Sequence, residues 1–301
     1  DAGHILGSAS ILIEYNKQRM FYTGDIKISS QRIMNGAILP EGSIDILITE
    51  STYASSESKN IGTLISEGKR FVKEANKVLA SGGSILIPVF SLGKMQEVLM
   101  FLFNKMKSGT LTETHIFTGG IGRKISHLYD LNRFLINRKY EKVKLSEIEQ
   151  INYFDIQNPD FYQRHPSIVL AASGMMLENT MSNKLMKYWI HKNVFSIFIV
   201  GYMDPSTPGY MIASNNQGDE IEIGIDKKVK IKCSVNRFHF PSHSTREELL
   251  NIVDRTNPKR VILVHGEPEA KEWLGHQILK LNNNVKVHSA SIGSSIMLNG
   301  I

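Results

Sequence analysis

Residues 61–88 read IGTLISEGKRFVKEANKVLASGGSILIP. Within them Ile61, Leu64, Ile65, Phe71, Val72, Ala75, Val78 and Leu79 recur at three- and four-residue intervals, the period of a helix with one apolar face. Gly82-Gly83 closes that helix, and Ile85-Leu86-Ile87-Pro88 is a short buried strand. The alternation continues down the chain. A helix is expected from Lys94 to about Met106, a strand at His115–Thr118, and a helix led in by Gly119-Gly120-Ile121-Gly122 and running through Tyr129. A strand at Ile168–Ala172, a helix at Asn179–Ile190 and a strand at Phe195–Val200 follow. Strands alternating with helices imply a parallel sheet with helices on both faces, an α/β unit of Rossmann-like architecture.

The flanks have a different texture. Residues 11–13 and 21–22 read as two strands around a polar turn at Asn16–Arg19, followed by Thr23-Gly24-Asp25. A buried strand at 44–50 ends on the carboxylate Glu50. Residues 140–166 are irregular. After Gly218, strands are expected at Glu220–Ile225 and Lys228–Val235, meeting at a turn around Asp226. A helix from Thr245 to Arg255, a strand at Arg260–His265, a helix from Glu269 to Asn282 and two short strands finish the chain. The simplest organisation is one α/β domain, residues 1–50 and 236–301, interrupted by a second domain spanning 51–235.

Composition narrows the classes of function. In 301 residues, 42% are hydrophobic and 21% charged, which excludes a disordered or collagen-like chain. No apolar run approaches the ~20 residues of a membrane-spanning helix, so no membrane partner is expected. A sequence with no secretion signal and no disulfide pair is expected in the cytoplasm. The single cysteine, Cys233, cannot form an internal disulfide or a thiolate metal site, so any transition-metal ligands must be His, Asp or Glu. The formal charge of +6 is compatible with a polyanionic partner.

Five polar residues stand at predicted strand ends, where packing gives them no reason to be: His4, Asp25, Glu50, His243 and His265. Each sits in a small-residue setting, as in Gly3-His4, Gly24-Asp25, Ser242-His243 and His265-Gly266, which lets a side chain turn into a shared cleft. Histidines and carboxylates gathered on the strand ends of an α/β fold are a reasonable set of ligands for a divalent metal. Taken singly, all but His265 in Val264-His265-Gly266-Glu267 favour an ordinary reading as a turn residue or a hydrogen-bonded histidine. Gly119–Gly122 is no dinucleotide fingerprint, because its spacing is wrong. Lys227, Lys228, Lys230 and Lys232 alternate along one strand face, a pattern that suits an RNA track but more commonly marks a solvated edge.

In combination these residues carry a resemblance. Asp1-Ala2-Gly3-His4-Ile5-Leu6-Gly7-Ser8, Tyr22-Thr23-Gly24-Asp25 and Thr49-Glu50-Ser51-Thr52-Tyr53 occur in order at close spacing. Pro88-Val89-Phe90-Ser91-Leu92-Gly93-Lys94 through Glu97 and Ala172-Ser173-Gly174-Met175-Met176 follow, then Ser242-His243 and Val261 through Glu267. Together they resemble the successive motifs of the metallo-β-lactamase-fold, β-CASP nucleic-acid hydrolases. The resemblance spans nearly the whole chain. It is strongest to the RNA branch, which includes the cleavage and polyadenylation nuclease subunit and its prokaryotic relatives, because DNA-repair members usually lack a histidine at the position of His265.

The resemblance implies a partial metallo-β-lactamase αββα domain interrupted by a β-CASP domain with a parallel sheet. It implies RNA phosphodiester hydrolysis with two divalent metal ions, zinc by default and manganese as the alternative. His4 and His265 would each ligate one metal, with Asp25 bridging both. His243 would be the general acid, with Glu50 hydrogen-bonded to it. Ser173 and Gly174 would line the substrate cleft. Lys94, Arg123 and Lys124 stand at or near expected helix starts, where backbone amides and a cation can hold phosphate, with a solvated helix end as the equal alternative.

Two departures from the family pattern stand out. Thr245 occupies a position where members usually carry Asp, two residues after His243. The His-x-His-x-Asp-His signature, expected before Asp1, occurs nowhere in residues 1–301. Three ligands cannot complete two metal sites of about four ligands each. The chain alone is therefore expected to be inactive, with apolar sheet surface uncovered. The expectation is a fragment, or else a second polypeptide or a homodimer partner completing the domain. A non-catalytic paralogue serving as an RNA-binding or assembly subunit is the alternative function, and a small-molecule metallo-hydrolase ranks last.

Overall fold

The computed structural model describes residues 1–55, 62–223 and 228–297. In chain order its elements begin with β1 (Ile11–Tyr15), β2 (Gln18–Tyr22), β3 (Ile46–Glu50), α1 (Leu64–Ala80), β4 (Ile85–Pro88), α2 (Lys94–Lys107) and β5 (His115–Thr118). Next come α3 (Ile121–Leu131), β6 (Ile151–Asn152), α4 (Phe161–Arg164), β7 (Ser167–Ala171), α5 (Met181–Trp189), β8 (Ser196–Ile199) and α6 (Pro208–Ala213). The remainder are β9 (Glu220–Glu222), β10 (Lys228–Lys230), β11 (Ser234–Arg237), α7 (Arg246–Thr256), β12 (Arg260–Val264), α8 (Pro268–Leu281) and β13 (Lys286–Ser289).

The chain divides into two compact units, one of Asp1–Ile61, Phe134–Lys139 and Pro241–Ile301, the other of Gly62–Arg133 and Tyr140–Phe240. The bounds differ from the expected 50/51 and 235/236, and the short stretch 134–139 joins the first unit. It does so through backbone hydrogen bonds: Lys139 N–H donates to Ile33 and Asn35 N–H to Asn137, at 2.6 and 2.9 Å.

In the first unit, five strands order as β1-β2-β3-β12-β13. Asn16 and Lys17 both have positive φ, 47° and 63°, the backbone that a tight two-residue hairpin requires, so β1 and β2 pair antiparallel with Tyr15 opposite Gln18. From β2 onward every pairing is parallel, including Met20 with Ile46, Arg260 with Ile46, and Arg260 with Lys286. β3 and β12 are apolar on both faces, as buried parallel strands must be. Phe21, Leu47, Val261 and Leu263 pack with Leu249 and Ile252 of α7 and Leu274 and Ile278 of α8. At the free edge, β1 is exposed along its whole length, with Ile11, Ile13 and Tyr15 facing solvent.

In the second unit, six parallel strands order as β11-β8-β4-β7-β5-β6. Side chains alternate across a strand, so Ile197 and Ile199 face one layer and Phe198 the other. The first layer holds Trp189, Tyr162, Phe117 and Phe195. In the second layer, Phe71 of α1 makes ring contacts with Phe101, Phe198 and Phe238 at centroid distances of 5.2, 5.0 and 4.9 Å.

Three sequence expectations need correction. The strand expected over 228–235 is two strands. β10 pairs with β9 in a separate ribbon, and β11 joins the large sheet beside β8. The break falls at Ile231 and Lys232, where Ile231 N–H donates to Asp219 and Lys232 N–H to Ile190. Lys228 and Lys230 are exposed on β10, Lys232 lies off the strand, and Asp226 and Lys227 fall outside the described residues. Residues 140–166 contain β6 and α4, too short to show a period, and 208–213 form the unforeseen α6. After α8, one strand rather than two is present among the described residues. No helix among those residues is long and apolar enough to cross a membrane.

Candidate metal centre

His4, Asp25, Glu50, His243 and His265 all belong to the first unit. Glu50 ends β3, His265 directly follows β12, and Asp25 follows β2 after Thr23 and Gly24. β3 lies between β2 and β12, so three strand ends bring these residues to one edge of the sheet. His4 arrives on the segment preceding β1. Gly3 there has φ +69°, and a Cβ on it would lie 2.3 Å from the Lys27 carbonyl oxygen, so only glycine lets this segment run beside the one following Asp25. Lys27 N–H donates to the Ala2 carbonyl at 2.9 Å, and the Gln31 amide donates to the Gly3 and His4 carbonyls.

His265 has φ +40°, uncommon for a residue with a side chain and often found where backbone is held for function. Ser51 holds it there. Its N–H donates to the His265 carbonyl at 2.8 Å, and its hydroxyl donates to the Val264 carbonyl at 3.1 Å. On the opposite side, Ser244 N–H donates to the Ile26 carbonyl and Ile28 N–H donates to the Ser244 hydroxyl, so the segment after Asp25 is hydrogen-bonded to the segment after His243.

The two oxygens of Asp25 face two different histidines: Oδ2 lies 3.9 Å from His4 Nε2 and Oδ1 lies 3.5 Å from His265 Nε2. His4 Nδ1 is 2.8 Å from the Ser242 carbonyl, so Nδ1 carries the proton and Nε2 presents its lone pair toward Asp25. Burial holds the His4 pKa below the ordinary histidine value, with His243 adding to the effect. The Ser242 carbonyl, Asp25 and Glu50 pull the other way and lose. The His4–Asp25 approach is therefore a neutral imidazole beside a carboxylate rather than an ion pair. A histidine held in one tautomer by a backbone carbonyl, its free nitrogen beside a carboxylate, is the donor arrangement of a divalent-metal site.

His243 Nδ1 lies 3.0 and 2.9 Å from the two oxygens of Glu50, which is 1% exposed. Burial alone would raise the Glu50 pKa. The hydrogen bond and charge of His243, the Thr52 hydroxyl and Ile26 N–H outweigh it and hold the carboxyl below its ordinary value. The His4 and His243 rings lie 4.4 Å apart, and Tyr53 stands edge-on to His243 at 5.9 Å. Among the described residues, His4, Asp25 and His243 each bring one donor atom within 4.8 Å of the others.

The five motif residues therefore converge. The expected substrate-binding residues all lie in the second unit. Lys94 is the first residue of α2 but is buried, and its ammonium donates to the Phe240 carbonyl. Arg123 and Lys124 are exposed in the first turn of α3. Ser173 accepts Leu177 N–H at 3.0 Å, and a Cβ on Gly174 would lie 2.8 Å from the Phe90 nitrogen. Reading by motif did not assign roles to Ser51 and Thr52, which hold His265 and Glu50. Their place directly after Glu50 in the Thr49–Tyr53 motif was the available signal. The carbonyl of Ser242, which orients His4, leaves no trace in residue type.

Residues 95–212 match the Beta-Casp domain, and residues 228–288 match the Zn-dependent metallo-hydrolase RNA specificity domain. Over 93% of its length the chain is 29% identical to an Integrator complex subunit 11 homolog of Dictyostelium discoideum, covering 39% of that protein. It is 30% identical over 89% of its length to an RNase J-like protein of Methanocaldococcus jannaschii, covering 62% of it. The chain belongs to the metallo-β-lactamase-fold β-CASP family. A further relative, cleavage and polyadenylation specificity factor subunit 3-II of Arabidopsis thaliana, is 26% identical over 92% of the chain and 45% of its own length. The chain thus spans roughly half the length of these relatives. The RNA specificity match contains His243 and His265, whereas His4, Asp25 and Glu50 precede both matched domains.

Proposed function

We propose that this chain carries part of the active centre of a metal-dependent hydrolase that cleaves RNA phosphodiester bonds. The observation that supports this best is the Asp25 carboxylate turned toward two histidines, beside a histidine whose second nitrogen rests on a buried glutamate. His4 Nε2 and one Asp25 oxygen would hold one divalent ion, zinc by the family description and manganese as the alternative. His265 Nε2 and the other Asp25 oxygen would hold a second. Bound there, such ions polarise a phosphoryl oxygen and lower the pKa of water.

The protein's own groups do the rest. Glu50 accepts the Nδ1 proton of His243, which leaves Nε2 as the nitrogen that exchanges a proton with the departing ribose oxygen. Ser51 and the Ser242 carbonyl keep His265 and His4 oriented. Among the described residues, the donors gathered at this centre are fewer than two complete sites need, so in this reading further donors would be required for turnover.

The compact grouping of His4, Asp25 and His243 favours a second role for His243, as a metal ligand backed by Glu50. Titration of Zn2+ and Mn2+ into EDTA-treated protein, followed by bound-metal analysis and thermal melting, decides between the two. Asp25→Asn should abolish metal-dependent stabilisation. His243→Ala should leave it intact if His243 is the acid and remove it if His243 is a ligand. Absence of metal binding by the wild type, together with RNA binding, would leave the non-catalytic RNA-binding subunit as the function.

A further inference from the structure

In the six-stranded sheet, β4 and β7 are neighbours whose onward connections run in opposite directions. From β4 the chain passes through α2 to β5, on the far side of β7. From β7 it passes through α5 to β8, on the far side of β4. The crevice outside the carboxyl ends of two such strands is where open α/β sheets take their ligands. Pro88 of β4 pairs with Ala171 of β7, and Val89 N–H still donates to the Ala171 carbonyl at 3.0 Å. The residues that emerge side by side beyond this point are Phe90 and the Ser173-Gly174 pair.

Phe90 is 40% exposed at this place, although it follows a fully buried strand. A Cβ on Gly174 would lie 2.8 Å from Phe90 Cδ2, so the Gly174 backbone supports the ring closely from the β7 side. On the other side, the buried Gln96 amide donates to the Ser91 and Gly122 carbonyls at 3.1 and 3.2 Å, tying the Phe90 loop to the start of α3. Gly122 allows this approach, since a Cβ there would lie 2.1 Å from Met95 Sδ. The first turn of α3 beside this tie presents Arg123 and Lys124 to solvent. An aromatic ring backed by glycine with two cations on the adjoining turn is the arrangement that takes an unpaired base on the ring and its phosphates on the cations.

We propose that Phe90 is a stacking platform for an unpaired base of single-stranded RNA, held at the sheet's switch point by Gly174, with Arg123 and Lys124 taking the adjoining phosphates. This rests on the RNA reading above and adds to it a recognition mode that is blind to base identity but requires an unpaired strand.

The test is fluorescence anisotropy with labelled 12-nucleotide oligo(U), oligo(A) and an RNA duplex, in EDTA so that no cleavage intervenes. Phe90→Ala should weaken binding of both single strands about 5- to 150-fold, the range for loss of one stacked base, and leave duplex binding unchanged. Phe90→Trp should bind within about 2-fold of wild type, since indole offers a ring face at least as large. Phe90→Leu, which keeps an apolar contact with Gly174, should behave as alanine does, and it decides the matter if the alanine variant fails to fold. Arg123→Ala with Lys124→Ala should reduce the slope of log affinity against log salt by about 1.4 on single strands. Wild-type affinity for single-stranded RNA with Phe90→Leu unaffected would overturn the platform alone. Absence of any RNA binding by the wild type would overturn the RNA reading beneath it.

Discussion

Replacing Glu50 by glutamine tests the centre through a group that touches no substrate. The carboxylate accepts Ile26 N–H at 2.7 Å, His243 Nδ1 at 2.9 and 3.0 Å, and the Thr52 hydroxyl, all while 1% exposed. Hydrogen bonds to a buried charge contribute about 1.5–3 kcal/mol each and neutral ones about 0.5–1.5, so converting three from charged to neutral costs roughly 3–4.5 kcal/mol at neutral pH. The amide also places a donor where only acceptors stood. The Thr52 hydroxyl can rotate to accept from it, and His243 can do so by moving its proton to Nε2.

The sign of the pH dependence follows from the lowered Glu50 pKa. Its stabilisation is fully present above the ordinary carboxylate value of 4.5 and is lost as pH falls through the lower folded value. Urea denaturation of metal-free wild type and Glu50→Gln should therefore show a gap of roughly 3–4.5 kcal/mol at pH 7 that is steady down to about pH 5 and closes below it. A gap under about 0.5 kcal/mol at pH 7, or one that stays constant into acid, would refute the reasoning.

Lys27 Nζ lies 2.6 Å from Glu248 Oε2 with both side chains largely buried, so Lys27→Met should cost about 3–5 kcal/mol in urea denaturation by stranding Glu248. Lys27→Met combined with Glu248→Leu should recover most of that loss. Thr245 caps α7, its side chain accepting Glu248 N–H while Glu248 accepts Thr245 N–H. Thr245→Ala should cost about 1–2 kcal/mol and Thr245→Asp much less by the same measurement, because aspartate caps as well as threonine does. Cys233 is buried and its thiol is pushed up to about 12 by desolvation, so Ellman's reagent should label it only at the rate of unfolding.

The residues legible in the sequence were those whose neighbours along the chain decide their state. β5 is found at His115–Thr118 where a strand is expected, and α7 begins directly after Thr245, where the helix is expected to start. The error over 228–235 has the opposite origin. β10 and β11 share one strand-like composition but belong to different sheets, and the division is made by hydrogen bonds to Asp219 and Ile190, residues distant in sequence. The centre divides in the same way. His4, Asp25, Glu50, His243 and His265 carried a readable signal because each is a polar residue in a place that packing does not explain. Lys94 was read from its place at a helix start and is buried against the Phe240 carbonyl, since a helix start faces solvent or core according to the unit around it.

The position of Thr245 joins these threads. A family pattern with aspartate there invites the reading that the carboxylate serves His243 chemically, in which case threonine would weaken the acid. The structure gives the position a different task. Thr245 opens α7, and the residues around it fix the backbone of the preceding turn: Ser244 N–H donates to Ile26, Thr245 N–H donates to Glu248, and Glu248 is paired with Lys27, two residues past Asp25. Glu248 is thus shared between the helix cap and the ion pair, and through them the turn holding His243 is registered to the segment holding Asp25. A cap needs an oxygen acceptor, which threonine and aspartate both supply. The carboxylate that His243 needs is already present in Glu50, buried and fully hydrogen-bonded. Position 245 is therefore a helix cap, and the threonine there meets that need without a carboxylate of its own.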